Sequence, residues 1–141
     1  TSNDFVYFKG ENPGVEIALQ GTAKFGKTVL SDLIIKSNHN ITNTGTVVWE
    51  MRNCRFDIGG GTFSLDTLVC LNTGIYTTTT TASLDGDYIR AMTCRFNNRG
   101  GGTPTLTMAW AKAVIMGCDF DMPVTSTGKS TGAGPEAVAS A

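Results

Sequence analysis

The residues best suited to chemistry are aspartates and arginines that accompany a repeated Cys-x-Phe motif. Asp57 directly follows the first copy of the motif, and Asp119 and Asp121 flank the phenylalanine of the last copy. Arg55 and Arg95 stand directly after the cysteine in the first two copies. Two carboxylates about 5 to 9 Å apart can act as acid and base on a glycosidic bond, and neighbouring arginines can hold the sugar. These five residues form the candidate glycan-binding set.

Other reactive groups lack a recognisable setting. His39 is the one histidine of the sequence and stands in an asparagine-rich turn, so we do not expect it to be a catalytic base. The glycines at 59–61 and 100–102 lack the Lys-Ser/Thr that completes a phosphate loop. The four cysteines show no Cys-x-x-Cys spacing. We therefore expect no cofactor and no metal.

The candidate residues belong to an internal repeat. Residues 49–56, followed by glycines at 59–61, recur as residues 89–96 followed by glycines at 100–102, and a shorter copy ends at Phe120. The offset between the first two copies is 40 residues at the cysteines and 41 at the glycines. The sequence therefore predicts repeats at about 47–62, 88–103 and 113–121.

The repeat predicts strands that turn a corner. In each copy, apolar residues occupy every second position before the cysteine. From the cysteine onward they again occupy every second position, but the pattern is shifted by one residue. A bend or bulge at this point lets both halves face one core. Asn53 and Gly117 occupy the break, and both residue types tolerate a left-handed backbone.

This pattern resembles the right-handed parallel β-helix of phage tailspikes and pectate-lyase-like proteins. The resemblance covers about residues 30 to 122 and implies an all-β fold, a short right-handed parallel β-helix, with an antiparallel β-sandwich or barrel as the alternative. Corners are expected at Asn38, Cys54, Cys70, Cys94 and Cys118. These positions are 16, 16, 24 and 24 residues apart. Either loops absorb the uneven spacing or Cys70 is not a corner.

Length and composition indicate one β domain. Charged residues are 16% of the chain, below the usual quarter, and there are 17 glycines, which is typical of a turn-rich all-β protein. A net charge of -1 without blocks of like charge gives no general attraction to nucleic acid or anionic membranes. No apolar run is long enough to insert in a membrane. We predict a single domain over residues 1–122 and a flexible C-terminal arm over residues 123–141.

The cysteines are predicted to be free. Three of the four occupy equivalent repeat positions on the presumed interior face, where a thiol behaves as a small apolar side chain. This reading is favoured over disulfides and fits synthesis in a reducing cytosol.

These expectations predict a protein that acts by assembly and surface binding and not by catalysis. The pattern and the resemblance predict a non-catalytic structural protein of a bacteriophage virion, made in the host cytoplasm: a tailspike or fibre module, or a capsid decoration protein. A homotrimer is expected, with other virion proteins and host-surface glycan as partners. The alternative is a carbohydrate-binding or glycan-cleaving β-helix module, which cleavage of a polysaccharide would reveal. An ice-binding solenoid is disfavoured because the threonines at 77–81 are consecutive and not one per coil.

Overall fold

The computed structural model shows a short right-handed parallel β-helix of about four turns. The structure describes residues 6–12, 14–19, 27–37, 41–42, 48–59, 61–78, 82–99, 106–122 and 124–128. The described residues contain no helix, and all the strand pairings found between them are parallel. This topology confirms the predicted fold and excludes the antiparallel sandwich or barrel.

The described strands are β1 (Val6–Lys9), β2 (Glu16–Leu19), β3 (Thr28–Ser31), β4 (Ile34–Ser37), β5 (Ile41–Thr42), β6 (Val48–Arg52), β7 (Arg55–Ile58), β8 (Gly61–Leu71), β9 (Gly74–Thr77), β10 (Ala82–Met92), β11 (Arg95–Asn98), β12 (Leu106–Met116), β13 (Asp119–Asp121) and β14 (Val124–Gly128). Sheet A has the order β1-β3-β6-β8-β10-β12-β14, and β5 also pairs with β8. Sheet B has the order β13-β11-β9-β7-β4-β2. Each coil passes through sheet A, turns a corner and returns through sheet B.

The long strands β8, β10 and β12 bend in the middle. Along β10 the side chains face the core at every second position up to Gly86 and again from Ile89, so the parity shifts between these residues. The ladder between β10 and β8 omits Asp87, which lies at the bend. We call the part before the bend the first arm and the part after it the second arm. With sheet B, the two arms give the coils of β8, β10 and β12 three sides.

The corners follow the predicted backbone. Left-handed residues stand at Asp32, Asn53, Asn72, Thr93 and Gly117, with φ between 49° and 62°. Their spacing is 21, 19, 21 and 24 residues. The prediction of a left-handed backbone at Asn53 and Gly117 is therefore confirmed. Asp32 and Asn72 belong to a residue type that tolerates this conformation, whereas Thr93 is β-branched and adopts it at a cost.

One of the expected corner positions was wrong, and another lies outside the described residues. Cys70 is not a corner because it lies inside β8 with its side chain in the core, and the corner of that coil falls at Asn72 and Thr73. Asn38 lies outside the described residues, and the first described corner between the two sheets falls at Asp32 and Leu33. The described residues thus form five corners of this kind, two more than the three Cys-x-Phe copies mark.

The core consists of apolar ladders, in which each side chain packs on its counterpart in the next coil. The inward row of sheet B is formed by Ile17, Ile35, Phe56, Ile75, Phe96 and Phe120. Phe96 and Phe120 stack with ring centroids 4.7 Å apart and an interplanar angle of 8°. Trp49 and Phe63 make an edge contact on the opposite side of the core, with centroids 5.2 Å apart. β-Branched and aromatic residues suit such pleated, buried positions.

The ordered β structure extends beyond residue 122. β14 lies within the segment that was predicted to be a flexible arm, and it pairs in parallel with the first arm of β12 from Leu106↔Val124 to Trp110↔Gly128. Alternation is weak in this Thr- and Ser-rich stretch, so the sequence pattern alone did not reveal a strand. The rest of that segment, Pro123 and residues 129–141, lies outside the described residues.

Candidate binding surface

The five predicted site residues all occupy outward positions of sheet B. The outer face has two parallel rows of side chains, because alternate residues of a strand point to opposite faces. One row contains Glu16, Ile34, Arg55, Gly74, Arg95 and Asp119, and the other contains Ala18, Lys36, Asp57, Tyr76, Asn97 and Asp121. The structure therefore brings the predicted set onto one surface, which we call the sheet B face.

Asp57 is held by Arg55 in a two-point ion pair. Arg55 Nε donates to Asp57 Oδ1 at 2.8 Å and Arg55 Nη2 donates to Asp57 Oδ2 at 2.6 Å. This hydrogen-bonded carboxylate raises the pKa of Arg55. Asp57 is only 5% exposed although it points outward. Both of its oxygens are engaged, so this residue acts as a support for Arg55 more readily than as a free acid.

Asp57 does not lie close to the other two aspartates. Along the second row, Tyr76 and Asn97 separate Asp57 from Asp121. Three strand spacings amount to about 14 Å, which is beyond the separation of paired glycosidase carboxylates. Asp119 and Asp121 are neighbours on β13 with Cα atoms about 7 Å apart, and both are exposed. Asp57 therefore lies too far from Asp119 and Asp121 to form a carboxylate pair with either of them.

Tyr76 is the central side chain of the sheet B face, and sequence reasoning missed it. Its phenol end lies over Gly74: a Cβ atom there would come within 2.6 Å of the Tyr76 hydroxyl. The guanidinium carbons of Arg55 and Arg99 lie 5.7 Å and 5.1 Å from the centroid of the Tyr76 ring, within the range of cation–π contacts. Gly74 thus leaves the space in which an aromatic ring can lie between two cations.

A shallow polar depression of about 250 Å³ opens beside Tyr76. Gly74, Arg95 and Asp119 also line it. Arg95 Nη2 lies 4.0 Å from Asp119 Oδ2, and both side chains are more than half exposed. Such a long, exposed ion pair contributes little to stability, so its groups are available to a ligand.

The corner residues beside this face carry a repeated hydrogen-bond pattern. At Cys54, Thr73, Cys94 and Cys118 the thiol or hydroxyl is within 3.0 to 3.4 Å of the carbonyl oxygen two residues earlier. The same group is within 3.2 to 3.5 Å of a carbonyl oxygen of the preceding coil. It also accepts a backbone N–H: Cys54 N–H donates to Thr73 Oγ1 and Cys94 N–H donates to Cys118 Sγ, both at 3.4 Å. We call this ladder the corner stack.

The corner stack gives the cysteines a structural role. All four cysteines are free and buried, as predicted. Burial raises the pKa of the Cys94 thiol to about 11, and it raises the pKa values of Cys54 and Cys70 as well. A thiol with a raised pKa stays protonated at neutral pH, so it donates hydrogen bonds and is a poor nucleophile. The prediction that these residues act only as small apolar side chains was incomplete, since at three positions they also donate.

Other functional settings are not found in the described part of the chain. There, no three His, Cys, Asp or Glu side chains form a group that could hold a metal ion. No helix among those residues is long and apolar enough to cross a membrane. His39 lies outside them.

No family model, no curated protein and no solved structure matches this chain. The likeness to phage tailspikes and pectate-lyase-like proteins therefore stays one of pattern and fold.

Proposed function

We propose that this β-helix is a non-catalytic structural module of the tailspike or fibre type, which binds surface carbohydrate through the sheet B face. The observation that carries the proposal is Tyr76, placed between Arg55 and Arg99 beside a polar depression. Location in a virion, oligomeric assembly and contacts with other virion proteins belong to the same proposal and are supported by the pattern resemblance alone.

The chemistry of the face suits a sugar chain. A pyranose presents apolar C–H groups and hydroxyls at once, so it is bound well by an aromatic ring next to charged hydrogen-bonding groups. Tyr76 supplies the ring, and Arg95 and Asp119 supply donors and acceptors at the rim of the depression. Because the depression is open and is lined by residues of neighbouring strands, a polymer can run across several strands without threading into a closed pocket.

The arginines favour a sugar that carries a carboxylate. In the described part of the chain, Arg99 has no carboxylate within 4.0 Å, and Arg95 reaches Asp119 only at 4.0 Å. Arg55 is already neutralised by Asp57. A guanidinium without a close partner binds a ligand carboxylate through two parallel hydrogen bonds. We therefore expect stronger binding to acidic polysaccharides than to neutral ones.

Calorimetric titration with a panel of acidic and neutral polysaccharides tests the proposal. We expect Tyr76→Ala to weaken binding about tenfold or more, because it removes the stacking surface. Tyr88→Ala is the matched control, since Tyr88 is also half-buried and outward-facing but lies on sheet A. Arg99→Met is expected to reduce the preference for acidic over neutral chains.

Two results would count against this function. If no polysaccharide binds, or if Tyr76→Ala binds as the unchanged protein does, the sheet B face is not a glycan site. The length of the polysaccharide after incubation is measured in parallel. Shortened chains would support the glycan-cleaving alternative, in which Asp119 and Asp121 are the first residues to replace.

A further inference from the structure

Two of the buried cysteines are direct neighbours in the corner stack. The ladders before and after the last corner are in register with the same offset of 24 residues, and Arg95 pairs with Asp119 directly after it. Cys94 and Cys118 therefore occupy the same position in neighbouring coils. They are in contact, because Cys94 N–H donates to Cys118 Sγ at 3.4 Å.

The spacing of the two positions suits a disulfide bond. Neighbouring strands lie about 4.8 Å apart, and the Cα atoms of bonded cysteines are usually about 4.4 to 6.8 Å apart. The Cβ atoms of a disulfide lie closer, at about 3.5 to 4.5 Å, so the two coils must approach each other by a few tenths of an ångström. β13 has only three residues, all of them exposed, and in the described part of the chain it pairs with β11 alone. This strand can therefore make the adjustment.

The other two cysteines have no sulfur at the matching position of a neighbouring coil. Thr73 lies between Cys54 and Cys94 in the corner stack, so these two cysteines are two coil spacings, about 10 Å, apart. Cys70 lies within β8, and its ladder neighbours in the adjoining coils are not cysteines. The corner stack thus contains one pair of adjacent thiols.

We propose that Cys94 and Cys118 form a reversible disulfide bond when the protein meets a low-molecular-weight disulfide such as oxidised glutathione. The Cys118 thiolate attacks one sulfur of the glutathione disulfide and releases one glutathione thiolate. The Cys94 thiolate then attacks Cys118 Sγ and releases the second glutathione. The protein thiols give up two protons and two electrons as their S–S bond forms. The S–S bond of the oxidant breaks, and its two halves take up both electrons and both protons.

Burial makes this reaction slow. Cys94 and Cys118 are 3% and 1% exposed, so the oxidant reaches them only when β13 opens locally. Burial, and to a smaller extent the adjacent Cys118 thiol, also raises the pKa of Cys94 to about 11. The thiolate is the attacking species, so the rate rises with pH toward that value. We therefore expect both thiols to stay reduced in a reducing cytosol and to be oxidised gradually outside it.

The bond fastens β13 to the coil before it. It closes a loop between two positions that are 24 residues apart. Asp119 N–H already donates to Cys94 O at 2.9 Å, and the covalent link keeps the two strands together when such hydrogen bonds open. We expect the backbone amides of β13 to exchange with heavy water about tenfold or more slowly in the oxidised protein. The inference does not rest on the proposed function, because neither the bond nor its test involves a glycan.

Peptide mass spectrometry tests the inference. The full chain is incubated with oxidised glutathione at mildly alkaline pH, the remaining thiols are alkylated in urea, and the chain is digested with trypsin without reduction. Trypsin places each of the four cysteines on a separate peptide. We expect one linked pair, Cys94 with Cys118, and alkylated Cys54 and Cys70. An excess of dithiothreitol is expected to reverse the link.

Cys118→Thr removes the partner of Cys94, and Thr73 shows that threonine is compatible with the corner stack. This variant is expected to form no intramolecular link, whereas the matched control Cys54→Thr is expected to keep the link between Cys94 and Cys118. Circular dichroism verifies that both variants are folded.

Four results would each overturn the inference. All four cysteines of the folded protein stay alkylated under conditions that oxidise the chain unfolded in urea, a different pair is linked, or glutathione adducts accumulate in place of the link. The fourth result is equal exchange of the β13 amides in the oxidised and reduced proteins.

Discussion

The corner stack predicts that a hydrogen-bonding side chain, and not merely a small one, is required at Cys94. Thr73 fills the equivalent position one coil earlier, so threonine is compatible with the corner. Valine has nearly the same shape as threonine but has no hydroxyl. Comparing Cys94→Thr with Cys94→Val therefore isolates the hydrogen bonds from the packing.

The magnitude follows from the buried backbone N–H of Thr73, which valine leaves without an acceptor, whereas Met92 O keeps the backbone N–H of Asn72. The Cys94 thiol lies 3.2 Å from Cys70 O and 3.3 Å from Met92 O, and it accepts the backbone N–H of Thr73. Cys94 is 3% exposed, so water cannot replace these contacts. A buried polar group without a partner costs about 1 to 3 kcal/mol. We expect Cys94→Val to be about 2 kcal/mol less stable than Cys94→Thr.

Urea unfolding monitored by tryptophan fluorescence measures this difference. With a slope of about 2 kcal/mol/M, the midpoints of the two variants should differ by roughly 1 M while the slopes stay equal. If Cys94→Val is as stable as Cys94→Thr, the position selects only for apolar volume, and the corner stack has no energetic role. A change of slope would instead indicate an altered unfolded state.

Two further predictions concern the same corners. Thr93→Asn should stabilise the protein by about 0.5 to 1 kcal/mol, because it removes the backbone strain of a β-branched residue at φ 52°. The new side chain can also continue the row of hydrogen-bonded side chains formed by Asn72 and Asn53, which are 2.8 Å apart. A lower unfolding midpoint in urea would contradict this prediction. Alkaline pH should destabilise the fold: the Cys94 pKa is raised from 9.0 to about 11, so an unfolded chain ionises first. The contribution of the protonated Cys94 thiol to the free energy of unfolding is complete below pH 9. Above pH 9 it falls by about 1.4 kcal/mol per pH unit, up to about pH 11. Unfolding free energies measured from pH 8 to 11 should fall at least this steeply, since the pKa values of Cys54 and Cys70 are raised as well, and Cys94→Thr should reduce the slope.

The corners could be predicted from sequence because their requirements are local. A residue that tolerates a left-handed backbone is followed by a donor, a spacer and a large apolar residue. The corners at Cys54, Cys94 and Cys118 were recognised from the repeated Cys-x-Phe motif and the shift in apolar alternation at each copy. The corner at Thr73 was missed because threonine replaces cysteine and Ile75 replaces phenylalanine, although the physical requirements are the same. Cys70 shared the residue type and the inward direction, but it is not preceded by a left-handed residue.

The binding surface was predicted only in part. The alternation of inward and outward side chains along a strand places Arg55, Asp57 and Arg95 on the outer face. This step requires no knowledge of neighbouring coils. Distances between residues of different strands depend on how many coils lie between them. The sequence left open whether Cys70 marked a coil, so it could not fix the separation of the aspartates, and it gave no reason to place Tyr76 between the two arginines.

The corner stack also has a mechanical consequence. Its hydrogen bonds join one coil to the next, so they run along the helix axis, as the bonds of the two sheets do. A force applied along this axis pulls on the bonds of one coil boundary at a time and can peel the end coil from its neighbour. A force applied along the strands must shear many bonds together. A module of this design therefore resists force along its strands better than force along its axis. Tension along the axis should unfold the ordered helix from its ends, one coil at a time.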